Sequence, residues 1–82
     1  MAYKLLGEQV VNPVDDEMSG TTLVYVYVTA EVLLTLKKSV ADGGAVVGTM
    51  TIPANSTVSV VKYSDYTVTC PNSFCTPVAN HW

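Results

Sequence analysis

The chain carries little charge, and it contains no arginine. Of its 82 residues 13% are charged, and the net charge is −3. Lys37 and Lys38 form its only adjacent basic pair. Proteins that bind nucleic acid rely on clustered Arg and Lys side chains to neutralise phosphates. We therefore expect no nucleic-acid partner.

The chain also lacks a long apolar segment. Its first residues, MAYKLLGEQVV, do not contain the sustained apolar run of a secretory signal. The longest apolar stretch, Leu23 to Leu36, includes Glu31 and is too short for a membrane-spanning helix. These features predict a protein made in the cytosol with no membrane partner. Because soluble domains usually have roughly 25% charged residues, the low charge also indicates that part of the surface does not face water.

Residues that could support catalysis or bind a metal are scarce. His81 is the only histidine, and no paired acid and base, nucleophile constellation or phosphate-binding loop accompanies it. The consecutive carboxylates of residues 15–17 do not follow the alternating ligand pattern of a calcium loop. The sequence therefore predicts a protein that is not an enzyme and that uses no cofactor or metal.

The two cysteines lie close together in CPNSFC, residues 70–75. We expect Cys70 and Cys75 to flank a four-residue hairpin loop, which would place them opposite each other at a separation that allows a disulfide. Three interpretations remain: reduced structural thiols, a disulfide, or a metal site with His81 that is one ligand short of a structural zinc site. Reduced thiols are favoured because the chain is expected in the reducing cytosol.

From Thr21 onward the side-chain types alternate with the two-residue period of β-strands. β-branched and aromatic residues alternate between two sets, and turn signals at Asp42-Gly43-Gly44 and at PANS separate the runs. The pattern predicts an all-β fold, a small antiparallel β-sandwich or barrel of about six to seven short strands. Residues 21–82 would form this single domain. Residues 1–20, which have little periodicity, would form an extended N-terminal arm or long loop.

The alternation also assigns a face to each side chain. Successive residues of a strand point to opposite sides of the sheet, so one apolar set in each strand is expected to point to the core. Pro77 cannot donate a backbone hydrogen bond, which favours an edge position for the last strand. The residues predicted to point inward are Val24, Val26, Val28, Leu34, Leu36, Ile52, Val58, Val60 and Val68.

The opposite face of the first long strand carries three large apolar side chains, Leu23, Tyr25 and Tyr27. Either this strand is covered on both sides, or this face contacts another protein. A small sandwich has few layers with which to cover a second face, and tyrosine is enriched at interfaces. We therefore predict a partner-binding surface, to which the N-terminal segment adds contacts. The predicted partner-binding residues are Leu23, Tyr25, Tyr27, Tyr3, Val10 and Val11.

The start of the chain resembles a known group of proteins. The motif AYK of residues 2–4 is followed by Leu6-Gly7 and, after Glu8, by Gln9. This order is similar to the N-terminus of many small virion structural proteins of tailed, marine-type bacteriophages. Residues 47–62, VGTMTIPANSTVSVVK, also look like such proteins, in which an aliphatic strand, a proline turn and a second β-rich strand recur. The resemblance implies a virion structural component made in the bacterial cytoplasm.

Together these observations predict a capsid decoration or cement subunit that docks onto a larger protein lattice. Its expected partners are other virion proteins, above all the major capsid protein, and further copies of itself. A neck, tail or fibre-attachment component is an alternative within the same class. A carbohydrate- or peptide-binding module is an alternative from another class, and it would need a concave site built from aromatic residues. The aromatic residues available for such a site are Tyr63, Tyr66, Phe74 and Trp82.

Overall fold

The computed structural model describes residues 2–81, with the exception of the His81 side chain. It confirms the predicted all-β class: two antiparallel sheets of five and three strands contain the eight strands of the described residues, which include no α-helix. Two 3₁₀ turns, Met18–Gly20 and Val40–Asp42, lie between strands. The strands are β1 (Ala2–Leu5), β2 (Val10–Val11), β3 (Leu23–Val28), β4 (Val32–Lys37), β5 (Val46–Ile52), β6 (Ser56–Val61), β7 (Thr67–Thr69) and β8 (Ser73–His81).

The larger sheet is organised around β8, its longest strand. β3 pairs with one edge of β8 and β6 follows β3, while β1 and β2 pair in succession with the other edge of β8. The smaller sheet has the order β5-β4-β7. From Thr21 onward the structure therefore has six strands, and the remaining two come from the N-terminal segment.

The extended N-terminal segment pairs with the sheet and does not project from it. β1 and β2 continue the sheet beyond β8, and the Leu6 N–H donates to the Pro77 carbonyl at 2.9 Å between them. Met18 then enters the core, where 1% of its surface remains exposed. The segment predicted as an arm or long loop thus contributes both backbone pairing and core packing to the domain.

The core lies between the inner faces of the two sheets. All nine residues predicted to point inward are either buried there or partly buried against it, which confirms the face assignment. Strand alternation explains this result, because Val24, Val26 and Val28 of β3 are buried while the residues between them are not. Other buried members are Met18, Val32, Cys70 and Cys75.

The connection between β4 and β5 follows its turn signal. Gly43 and Gly44 have φ values of 92° and 65°, in the left-handed region that glycine adopts without steric cost, and the two strands pair antiparallel. The Ser39 hydroxyl accepts a hydrogen bond from the Asp42 N–H and caps the 3₁₀ turn. The predicted reversal at Asp42-Gly43-Gly44 is therefore confirmed.

The prediction that Pro77 marks an edge strand is wrong. β8 is central, with β3 on one side and β1 and β2 on the other. The Pro77 carbonyl faces the N-terminal strands, because it accepts from the Leu6 N–H. In an antiparallel strand the N–H and C=O of one residue point to the same side. Proline has no backbone N–H to donate. At Pro77 the missing N–H would face the break between β1 and β2, where no hydrogen bond between strands is required.

The predicted hairpin between Cys70 and Cys75 is also wrong. β7 lies in the smaller sheet and β8 in the larger one, so the short turn at Pro71-Asn72 carries the chain from one sheet to the other. β7 cannot pair with β8 here, since the N-terminal strands and β3 occupy both edges of β8. Asn72 has a φ of 52°, a conformation that asparagine tolerates better than most residues.

Candidate docking face

The outer face of the larger sheet carries most of the aromatic residues in the described part of the chain. β3 turns its valines to the core and its alternate residues, Leu23, Tyr25 and Tyr27, outward. On β8, Phe74 and Thr76 lie opposite Tyr27 and Tyr25 and therefore share this face. The face is thus built by two adjacent central strands, whose backbones are held by ladder bonds on both sides.

Two aromatic pairs organise this surface. The rings of Tyr27 and Phe74 stack with centroids 6.1 Å apart at an interplanar angle of 25°. The rings of Tyr3 and Tyr25 lie 5.5 Å apart at 58°, and the Tyr3 hydroxyl is hydrogen-bonded to the Ser59 hydroxyl at 2.8 Å. We call the surface formed by Tyr3, Tyr25, Tyr27 and Phe74 the aromatic face. Each of its rings is therefore oriented by a neighbouring ring within the isolated chain.

The aromatic face is open to solvent in the described part of the chain. Tyr3 and Tyr27 each keep 37% of their surface exposed, and large aliphatic side chains at its margin are more exposed still. Most surface residues of this size in a monomeric domain are scattered singly. Here they are contiguous, which is typical of an interaction surface. The marginal aliphatic residues are Leu5, Val11 and Val61.

The structure brings five of the six predicted partner-binding residues together. Tyr3, Val11 and the three residues of β3 share the outer face, Val11 through its pairing with Phe74. Val10 is the exception, because it pairs with the buried Cys75 and packs against the core. Val10 therefore lies on the face opposite to the one that the other five residues share. Adjacent residues of one strand cannot both face the same side of a sheet.

Phe74 was not among the predicted partner-binding residues. The sequence predicts a loop at this position, whereas β8 already begins at Ser73. The alternation of the sequence did contain a signal, since Phe74 and Thr76 alternate with Cys75 and Pro77. Reading this segment as a strand would have placed Phe74 on the face opposite the cysteine.

A second candidate site is a cleft of about 500 Å³ at the end of the sandwich where β6 leaves the larger sheet. Tyr63 and Tyr66 form one wall, with ring centroids 5.0 Å apart in an edge-to-face arrangement. Aliphatic side chains supply most of the remaining surface. Leu36, Val47, Val61 and Lys62 contribute to this lining.

Lys62 is the charged residue of this cleft, and only 4% of its surface is exposed. Its ammonium group donates to the main-chain carbonyls of Tyr63 and Ser64, each at 3.3 Å. Burial lowers the pKa of Lys62, although the nearby carboxylates Glu17, Asp65 and Asp16 act in the opposite direction. The aliphatic part of the side chain thus fills the end of the sandwich while the amine caps the following turn.

Both cysteines are free and buried in the structure. The Ser73 hydroxyl donates to the Cys70 carbonyl at 2.8 Å and lies 3.5 Å from the Cys75 sulfur. Burial raises the pKa of Cys70 and raises that of Cys75 to about 11. Both thiols therefore stay protonated at neutral pH, which makes them packing groups because the thiolate is the reactive form.

The acidic residues before β3 have structural partners. Asp15 forms an exposed ion pair with Lys37 at 3.1 Å and accepts a hydrogen bond from Thr69. The Asp16 carboxylate accepts from the Met18 N–H at 2.7 Å. Among the side chains of residues 2–80, no three His, Cys, Asp or Glu are grouped as a metal site would require, and the His81 side chain lies outside the described part of the chain. In the same range, no helix has the length and apolar character needed to cross a membrane.

Comparisons of this chain with protein-family models, curated proteins and solved structures found no match.

Proposed function

We propose that this chain is a non-catalytic structural subunit that docks onto a larger protein lattice through its aromatic face. The observation that carries the proposal is a cluster of four aromatic rings on the outer face of one sheet, in which Tyr3 and Tyr27 are exposed and Tyr25 and Phe74 are half-buried. Aromatic residues supply most of the binding energy at protein interfaces when a partner covers them.

The arrangement of the rings suits them to this role. A side chain that is immobilised on binding loses conformational entropy, at a cost of about 0.5–1.5 kcal/mol for a flexible one. Tyr27 is already stacked on Phe74, and Tyr3 is already tied to Ser59. Much of this ordering has therefore taken place in the free subunit. The aliphatic residues at the margin would exclude water from the polar groups of the tyrosines.

We further propose that the lattice is a viral capsid, and the resemblance of the N-terminal motif to virion proteins of tailed bacteriophages supports this choice. The subunit would decorate or cement a capsid, with the major capsid protein as its partner, and would reside on the virion. A small domain that binds a lattice only in its folded form gains stability by mass action. A neck, tail or fibre-attachment component would use the same face in the same manner.

Replacing Tyr27 by alanine tests this proposal directly. We expect the variant to bind particles of the encoding virus about thirtyfold more weakly in a co-sedimentation titration, since a buried tyrosine anchor contributes about 2 kcal/mol. Leu33→Ala is the matched control, because Leu33 is also half exposed but lies on β4 in the smaller sheet. The control should bind like the unmodified chain.

Thermal melting separates an interface role from a core role. Tyr27 is 37% exposed and stacks on Phe74, so Tyr27→Ala should cost the isolated subunit about 1 kcal/mol for the lost ring pair, in addition to the area that the ring buries. The proposal fails if Tyr27→Ala and Leu33→Ala bind equally well. It also fails if the loss of binding is no larger than the loss of stability. Tyr25→Ala is less informative, because Tyr25 is partly buried beneath Tyr3.

A small binding module is the second candidate, and the cleft beside Tyr63 and Tyr66 favours it. Its volume of about 500 Å³ lies within the range of small-molecule sites, and two aromatic rings with one buried amine line it. A panel of oligosaccharides and short peptides, titrated while backbone NMR shifts are recorded, tests this candidate. Saturable shifts around the cleft that are absent in Tyr66→Ala would support it. Shifts confined to the aromatic face would contradict it.

A further inference from the structure

β5 forms an exposed free edge of the smaller sheet. It pairs with β4 on one side, and no strand of the described residues pairs with its other side. Every residue of β5 except Ile52 is exposed. An edge strand presents unpaired N–H and C=O groups along its free side, and these can pair with a strand of another chain.

This edge lacks the charges that commonly prevent such pairing. Residues 43–61, which include β5 and β6 completely, contain no charged side chain. β6 is the free edge of the larger sheet, and it contacts β5 on the same side of the sandwich. Natural edge strands are usually protected by lysine, by proline or by a bulge. The register shift opposite Leu36 and Lys37 disturbs only the first residues of β5 and leaves Gly48–Ile52 regular.

The edge is also apolar. Val46, Val47 and Met50 keep 59%, 46% and 41% of their surface exposed. These three side chains belong to β5 in the smaller sheet, whereas the central strands that carry the aromatic face belong to the larger sheet. Pairing along β5 would cover them and satisfy the free backbone groups at the same time.

We propose that a second copy of this chain pairs with β5, strand against antiparallel strand, about a two-fold axis at Thr49. The residues at the centre of β5 are complementary to themselves in this register. Gly48 of one copy would face Met50 of the other, and nothing in the described residues lies within 4 Å of the position of a Gly48 Cβ. The two Thr49 side chains would face each other, an arrangement that favours Thr–Thr hydrogen bonds.

The absence of charge argues for a second copy over a foreign strand. In a two-fold antiparallel pair the residue at the axis meets its own copy, and its neighbours meet residues of the same short segment, so like charges in that segment would be brought together and repel each other. A segment without charge is compatible with itself at every position. The pairing would join two smaller sheets into one continuous sheet. It would leave both aromatic faces free, so the inference goes beyond lattice docking and does not depend on it.

Thr49→Lys tests the pairing, because it places two lysines opposite each other at the axis. We expect the unmodified chain to show a concentration-dependent monomer–dimer equilibrium in sedimentation-equilibrium experiments. Thr49→Lys should weaken it about tenfold or more. Thr49 is exposed in the subunit, so the variant should melt normally. Thr29→Lys, in the exposed turn between β3 and β4, is the matched control and should dimerise like the unmodified chain.

Cysteine crosslinking reports the register. Residues at the axis of an antiparallel pair have Cα atoms about 4.5–5.5 Å apart, which a disulfide can span. Thr49→Cys should therefore form a covalent dimer with copper–phenanthroline, whereas Glu31→Cys, in the turn before β4, should not. The native thiols are buried and should not contribute.

Three results would overturn the pairing. The first is an unmodified chain that stays monomeric at all concentrations. The second is a dimer that Thr49→Lys leaves intact. In that case, loss of the dimer in Tyr27→Ala would indicate that the chain self-associates through the aromatic face. The third is a failure of Thr49→Cys to crosslink beyond the Glu31→Cys level. None of these results affects particle binding by the Tyr27 variants, so the two proposals can fail independently.

Discussion

Replacing Met18 by alanine should destabilise the domain strongly, although Met18 belongs to the N-terminal segment. Its side chain is 1% exposed and packs in the core between the two sheets. Truncating a buried methionine to alanine typically costs about 2–5 kcal/mol, from lost apolar burial and the cavity left behind. At about 0.05–0.15 kcal/mol per residue, a domain of this length has a total stability of about 4–12 kcal/mol. The substitution would remove a large fraction of it.

Urea unfolding followed by circular dichroism measures this effect. We expect the midpoint to fall with an unchanged slope, and the melting temperature to fall by about 10 °C or more. Val14→Ala is the matched control, because Val14 lies in the same segment and is 72% exposed. Its replacement should change the unfolding free energy by less than about 0.5 kcal/mol.

The comparison of the two variants decides how the segment is attached. If Met18→Ala is no more destabilising than Val14→Ala, the methionine does not pack in the core. Residues 1–20 would then be an independent arm, as their weak periodicity had suggested. A lower slope in Met18→Ala would instead indicate that the segment detaches before the rest of the domain unfolds.

Two further predictions concern buried ionisable groups. Because the pKa of Cys75 is raised from 9.0 to about 11, the unfolded chain loses this proton at a lower pH than the folded domain does. Between pH 9 and 11 the unfolding free energy of the unmodified chain should therefore fall by about 2 kcal/mol more than that of Cys75→Ala. Equal decreases in the two proteins would show that the pKa of Cys75 is not raised by folding. Lys62→Met should keep or raise the melting temperature, since it removes a buried charge and preserves the aliphatic packing. A clear decrease would show that the hydrogen bonds of the amine to Tyr63 and Ser64 outweigh its burial cost.

The sequence predicted the local structure well because strand alternation is a local property. Six strands, the reversal at Asp42-Gly43-Gly44 and the inward face of β3 follow from residues that are close in sequence. The outward position of Tyr25 and Tyr27 follows from the same alternation. Once one side of a strand is assigned to the core, every other residue must point away from it.

The sequence did not indicate that Val10 lies off the aromatic face or that Phe74 lies on it, and the two reasons differ. The N-terminal segment has little periodicity in sequence, so the prediction puts Val10 and Val11 on the same face, although successive strand residues cannot share one. For Phe74, the sequence CPNSFC predicts a hairpin loop, which leaves the residue without a strand face. That reading assumed that consecutive strands pair with each other, which is common but not required.

What the sequence by itself determined is the strand content from Thr21 onward, the turn at the two glycines and the face on which each side chain of β3 lies. The tertiary structure alone decided which strand pairs with which. It placed β8 at the centre of the larger sheet, sent β7 to the other sheet and gave the N-terminal segment an edge to pair with. Pairing depends on which edges remain free after distant segments have met, and no local pattern contains that information. The aromatic face exists for this reason, since Tyr3 and Tyr25 are far apart in sequence and become neighbours only across β8.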